Sequence, residues 1–254
     1  GYYSVDLQEE NIKAELTATP RVGVHRYTYP AGAARRVRLD MDHSAVKGSW
    51  GRQIINAQIR QVGPNAVEGY RVITGWAKLR KVYFYAEFSE PIESIDLSDG
   101  GRHEKGADVI NGRELRAMID FAKSDKPLEI KVGISGVSCE NAKENLEAET
   151  AGKNFDMIAQ EADAAWDKQL SAIEITADDD TKTVFYTALY HALIQPNVFN
   201  DVNGQYMAPD YTVAKVPAGE NQYTTFSLWD TYRATHPLYT LLAPKENADF
   251  VNSM

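Results

Sequence analysis

The sequence lacks most of the features that assign a protein quickly. Its single cysteine, Cys139, allows no internal bridge, so a disulfide scaffold is excluded and nothing follows about redox compartment. No apolar run approaches the roughly 20 residues that a membrane-spanning helix needs, which argues against membrane insertion. Positive charge is in deficit: 27 Lys and Arg stand against 36 Asp and Glu, a formal net charge of −9. Phosphate binding wants the opposite excess, so nucleic acid is not the expected partner. No Walker loop, dinucleotide fingerprint, zinc-protease helix or G-x-S-x-G elbow occurs, and no internal repeat or low-complexity tract is visible. What is present is ordinary: 254 residues, 43% apolar and 25% charged. That composition is globular and excludes disorder and collagen-like repeats. The length suits one large or two ordinary domains.

Two periods divide the chain. Up to about residue 137 apolar residues recur every second position. Ile12, Ala14, Leu16 and Ala18 alternate with polar neighbours, as do Leu128, Ile130, Val132 and Ile134. Shorter runs at Val37 to Met41, Ile55 to Ile59 and Ala117 to Phe121 repeat the theme. Period two buries one face of a strand and wets the other, so these runs predict half-buried antiparallel strands. Val82 to Phe88 is aromatic on both faces, which predicts a central strand or one beneath another layer. Turn residues separate the runs, and Asn111-Gly112 suits a two-residue hairpin. Many short strands with turns between them predict a β-sandwich.

After Ser138 the period becomes 3.6. Ser138 or Asn141 starts a short helix through Ala148, and Asn154 caps a second with Phe155, Ile158, Ala162, Trp166 and Leu170 on one stripe. Thr181 caps a third, in which Val184, Phe185, Ala188, Leu189 and Leu193 face one way before Pro196. An irregular stretch over 196–222 follows. Helical pattern resumes through Phe226 to Arg233, with Pro237 kinking it or opening a new helix. Three portions are expected: a β domain over 1–137, linker helices over 138–175 and the start of an α domain over 176–254. The chain starts without Met or a signal-peptide pattern and stops directly after a helix-compatible stretch, which reads as a piece of a longer polypeptide.

Most candidate chemistry has a plain structural reading. Asp178-Asp179-Asp180 stands before a helix and reads as capping and dipole compensation. His191 reads as packing, Cys139 as an inert thiol, and Arg35, Arg36, Arg38, Arg80 and Lys81 as solvated strand faces. Trp229-Asp230-Thr231-Tyr232-Arg233 is different. On a helix, Asp230 and Arg233 come within i,i+3 reach and Trp229 and Arg233 within i,i+4 reach. An aromatic plate beside a carboxylate and a guanidinium suits a sugar. The same spacing also suits a helix with Trp229 in the core and an ordinary ion pair on its flank.

This segment resembles the Trp-Asp-x-x-Arg signature of glycoside hydrolase family 92, the calcium-dependent exo-α-mannosidases. The resemblance runs over nearly the whole chain: Gly1 to Val5, Ile12 to Thr19, Gly23 to Tyr27, Gly75-Trp76-Ala77, Tyr83 to Pro91, Val132 to Ser135 and Phe185 to Leu193. It implies a multidomain fold, β then α: an antiparallel β-sandwich, linker helices and the first helices of an (α/α)6 barrel. It implies a bacterial enzyme of carbohydrate metabolism that removes terminal α-linked mannose from N-glycan or mannan-type glycans with inversion. Calcium is the implied cofactor, and the implied location is secreted, periplasmic or cell-surface. The family's acid, base and main calcium ligands are expected beyond Met254, and a glycine-rich segment upstream is expected to be missing, so no catalytic residue is assigned within the 254. Asp230 is expected to grip mannose hydroxyls, with Arg233 holding it and Trp229 or Trp76 as walls. A non-catalytic carbohydrate-binding sandwich is the alternative, and the helical half argues against it.

Overall fold

The computed structural model describes residues 1–43, 53–75, 77–104 and 106–254. They divide into two compact units, residues 2–159 and residues 160–254 with Gly1. The first unit is built on twelve strands. In chain order they are β1 (Tyr2–Leu7), β2 (Ile12–Ala18), β3 (Val22–Thr28), β4 (Arg35–Asp40), β5 (Gln53–Gly63) and β6 (Ala66–Thr74). Then come β7 (Arg80–Phe88), β8 (Ile92–Asp99), β9 (Arg102–Glu104), β10 (Val109–Gly112), β11 (Leu115–Phe121) and β12 (Leu128–Ser135). An eight-stranded sheet runs β1-β2-β3-β12-β7-β6-β5-β10, and a four-stranded sheet runs β4-β11-β8-β9. Both are antiparallel.

The period-two residues form the layer between the sheets. Ala57, Ile59, Val67, Phe84, Phe88, Leu128 and Ile130 of the large sheet pack with Leu97, Leu115, Ala117, Ile119 and Phe121 of the small one. Along β11 buried and half-buried positions alternate without a break. This is a β-sandwich, as the alternation predicts. β7 lies centrally, between β12 and β6. Its Phe84 and Phe88 point into the sandwich, while Tyr85 packs beneath helices on the other side.

Two local readings are corrected. Asn111-Gly112 is not a hairpin turn: both residues pair with β5, opposite Gln58 and Ala57, and the chain then crosses to the other sheet. The corner is held by Asp99, whose Oδ1 accepts the N–H groups of Arg113 (3.2 Å) and Glu114 (2.9 Å). A Cβ at Gly112 would collide with that carboxylate, so glycine serves close approach here rather than a turn. Arg35 is not solvated: it is buried, with Nη1 and Nη2 on Glu90 (2.5 and 3.1 Å) and on the carbonyls of Ala122 and Lys126. Such forked pairing with backbone support lets a guanidinium lie inside.

Helix α1 (Cys139–Thr150) covers the outer face of the large sheet. Ser138 is its N-cap, accepting from Asn141 N at 3.1 Å. Cys139 Sγ donates to the Gly69 carbonyl at 3.3 Å, and burial pushes the thiol up to about 11. That shift favours the protonated thiol over the nucleophilic thiolate. Leu146 of α1, with Phe155 and Ile158 from the start of α2 (Phe155–Leu170), buries Val22 and Val24 of β3. Asn154 Oδ1 caps α2 by accepting from Met157 N at 2.9 Å.

The second unit continues α2 into α3 (Asp179–Leu193). The cap of α3 is Asp178, one turn ahead of the expected Thr181. Its carboxylate accepts both the N–H and the hydroxyl of Thr181 at 2.9 Å, which holds it below the usual carboxylate range. The acidic triplet is therefore a helix start. The 196–222 stretch, expected to be irregular, carries short strands. β13 (Asn197–Val198) pairs with β16 (Tyr223–Thr224), and nested between them β14 (Gln205–Met207) pairs with β15 (Val213–Lys215). Three helices follow: α4 (Leu228–Thr231), α5 (Thr235–Leu242) and α6 (Pro244–Ser253). Pro237 sits in the first turn of α5 and so opens a helix. No helix among the described residues is long and apolar enough to cross a membrane.

Candidate functional site

The Trp-Asp segment lies on α4, which is shorter than its sequence pattern suggests. Helical structure starts only at Leu228, because Thr225 just upstream has φ +70°, a left-handed conformation that opposes helix and is rare for a β-branched residue. The carbonyl of Ser227 accepts from Asp230 N (3.0 Å) and Thr231 N (3.2 Å), and this closes a single turn. Tyr232 then ends it.

Within that turn Trp229 is 89% exposed, so the core reading of the indole does not hold for this chain. Asp230 is also exposed. Its Oδ2 accepts the hydroxyl of Ser227, and among the described residues Oδ1 has no hydrogen-bond partner. Arg233 is not its holder. Because α4 stops at Thr231, the i,i+3 geometry fails, and Arg233 Nε donates instead to the Tyr232 hydroxyl at 2.7 Å. The guanidinium also lies 5.3 Å from the Tyr232 ring centre. Trp76, the other expected wall, lies outside the described residues. Ser227 and Tyr232 were not anticipated as partners. The Ser-x-x-Asp spacing before an apolar run was a readable signal for the first, and nothing in the sequence marks the second.

The arrangement offers an apolar ring face, an open carboxylate acceptor and, beside them, a paired phenol and guanidinium. An apolar sugar face can lie on the first while hydroxyls donate to the second. An open groove of about 440 Å³ along α3, lined by Lys182, Thr183, Tyr186, Thr187 and Tyr190, contains none of these residues. Among the described residues no three His, Cys, Asp or Glu side chains form a group able to hold a metal ion. They do not by themselves make the calcium site that the resemblance implies.

Sandwich and helices together make a two-part chain, β then α. The model of the glycosyl hydrolase family 92 N-terminal domain matches residues 1–135, and that of the family's catalytic domain matches residues 141–254. The chain belongs to glycosyl hydrolase family 92. It is 34% identical to the family 92 α-mannosidase BT3965 of Bacteroides thetaiotaomicron, with a TM-score of 0.93 over 100% of this chain and 34% of that one. That enzyme has also been solved in complex with mannoimidazole. The inverting family 92 mannosidase BT2199 of the same organism is 26% identical, with a TM-score of 0.81 over 94% of this chain and 32% of that one. The chain thus spans about a third of the length of these enzymes. Among curated proteins no sequence matches it.

Proposed function

We propose that this chain is part of an inverting, exo-acting α-mannosidase that removes terminal α-linked mannose from glycans. The observation that carries the proposal is the pairing of a fully presented indole, Trp229, with an exposed carboxylate, Asp230, on one anchored turn. Support comes from the structural neighbours: BT3965 is named an α-mannosidase and is solved with mannoimidazole, and BT2199 is named an inverting mannosidase. In this role Asp230 accepts hydrogen bonds from sugar hydroxyls, and Ser227 fixes the carboxylate by occupying one of its oxygens. Trp229 offers its ring to the apolar face of the sugar. Arg233, steadied by Tyr232, adds positive charge at the rim.

Inversion needs two further carboxyl groups, one protonating the leaving oxygen and one activating water on the opposite face, roughly 6.5–9.5 Å apart. In this reading neither group belongs to residues 1–254, and the ligands of a calcium ion come from elsewhere as well. When bound, such a hard cation would take sugar hydroxyl oxygens as ligands and help to distort the ring. The helices from α3 onward would open an (α/α)6 barrel, and a secreted, periplasmic or cell-surface location fits a glycan substrate. Hydrolysis of an aryl α-mannoside by the full-length protein, followed by NMR, tests this directly: β-mannose is the expected first product. α-Mannose as first product would refute inversion, and no turnover of any α-mannoside would favour a non-catalytic carbohydrate-binding role.

A further inference from the structure

Within residues 1–254 helix α4 buries none of its residues, so what holds it here comes from its flanks. Both of its flanks rest on α6. Upstream, three successive backbone amides are captured by side chains. Asn221 N donates to Asp249 Oδ2 (3.1 Å), Gln222 N to Asn200 Oδ1 (2.8 Å) and Tyr223 N to Ser253 Oγ (2.9 Å). Two of these three captors are one helical turn apart on α6. Ser253 completes its own bonding by donating to the Asp249 carbonyl at 2.7 Å. Between them Phe250, buried, takes the rings of Tyr223 (4.7 Å) and Phe226 (6.2 Å) from the upstream side. It takes Tyr239 of α5 (5.2 Å) from the downstream side. Tyr239 is in turn fixed by its hydroxyl, which lies 2.7 Å from the carbonyl of Ala192 and 2.5 Å from that of Gln195. A two-residue strand such as β16 has little stability of its own. The strained turn at Thr225 also persists only where its surroundings over-determine it.

We infer that Asp249, Phe250 and Ser253 are positioning residues for the sugar site: α6 is the platform that sets where Trp229 and Asp230 are held. This inference rests on the proposed role of Asp230. The chemistry assigned to Asp249 is that of a buried acceptor for a backbone amide, with no contact to substrate.

The test uses the full-length protein and an aryl α-mannoside. Asp249→Ala removes the acceptor for Asn221 N and is expected to lower kcat/KM roughly tenfold, since misplacement of a binding group by about 1 Å can cost up to about a hundredfold. Asp249→Asn keeps an acceptor oxygen and recovers most of that loss. Ser253→Ala, a milder change, lowers kcat/KM a few-fold and carries the test if Asp249→Ala does not fold. In an Asp230→Asn background the Asp249→Ala effect shrinks to about twofold or less, because residues that act through one another are not additive. Lowered melting temperature with wild-type kcat and KM in Asp249→Ala and Ser253→Ala would overturn the inference, as would a full, additive effect in the Asp230→Asn background. If Asp230→Asn alone keeps wild-type kinetics, the sugar-site proposal itself is what has failed, and the platform role falls with it.

Discussion

Asp230→Asn separates the two readings of the Trp-Asp turn. Asparagine keeps the size but loses the charge and half of the acceptor capacity. Among the described residues Asp230 has one side-chain hydrogen-bond partner, the Ser227 hydroxyl, in an exposed one-turn helix. Weakening that bond should cost about 1 kcal/mol of stability or less. In a sugar site the loss is larger, because a carboxylate accepting from hydroxyls makes charge-assisted bonds. One such bond is worth about 1.5–3 kcal/mol, or roughly ten- to a hundredfold in kcat/KM. The expected outcome in the full-length protein is therefore a large fall in kcat/KM with a nearly unchanged melting temperature. Kinetics on an aryl α-mannoside and thermal unfolding of the same preparation read both. A wild-type kcat/KM with lowered stability would refute the reasoning and return Asp230 to the scaffold.

Other outcomes follow from the same structure. The isolated 254-residue chain is expected to show no turnover of an aryl α-mannoside, whereas the full-length protein is expected to show turnover that a chelator abolishes; activity in the isolated chain would place acid and base within it. Gly133→Ala should destabilise the sandwich unit by about 1–3 kcal/mol or more, because a Cβ there would collide with the Ala142 carbonyl of α1; an unchanged melting temperature would show that α1 is not seated on β12. Glu15 is held down to about 2 from 4.5, chiefly by its hydrogen bonds from Arg26. Its folded value lies below its unfolded one, so its stabilising contribution is complete above about pH 4.5 and is lost as pH falls through about 2. Melting temperatures of wild type and Glu15→Gln should therefore differ at neutral pH and draw together as pH falls from about 4.5 to about 2, and a difference constant with pH would contradict that assignment.

How much was readable in advance depended on how local the deciding physics was. Strands such as β11 and β12 follow from alternation alone, because one buried face imposes period two on any sequence that forms it. The caps at Ser138 and Asn154 are equally local. Asn111-Gly112 misled because its glycine answers to Asp99, a residue distant in the chain, and Arg35 misled because the carboxylate that lets it be buried is Glu90. At the site, Trp229 and Asp230 stood out by residue type and by resemblance. Their support did not: the helix is a single turn that starts after Ser227 and ends at Tyr232, Arg233 turns to Tyr232, and the platform residues Asp249, Phe250 and Ser253 show nothing unusual until the chain is folded.

The central claim is that Asp230 and Trp229 receive mannose. A crystal structure of the full-length protein with mannoimidazole bound tests it most directly. The account predicts an Asp230 carboxylate oxygen about 2.5–3 Å from sugar-ring hydroxyls, with the Trp229 indole against the ring. An inhibitor seated elsewhere, with Asp230 still bonded only to Ser227, would contradict it.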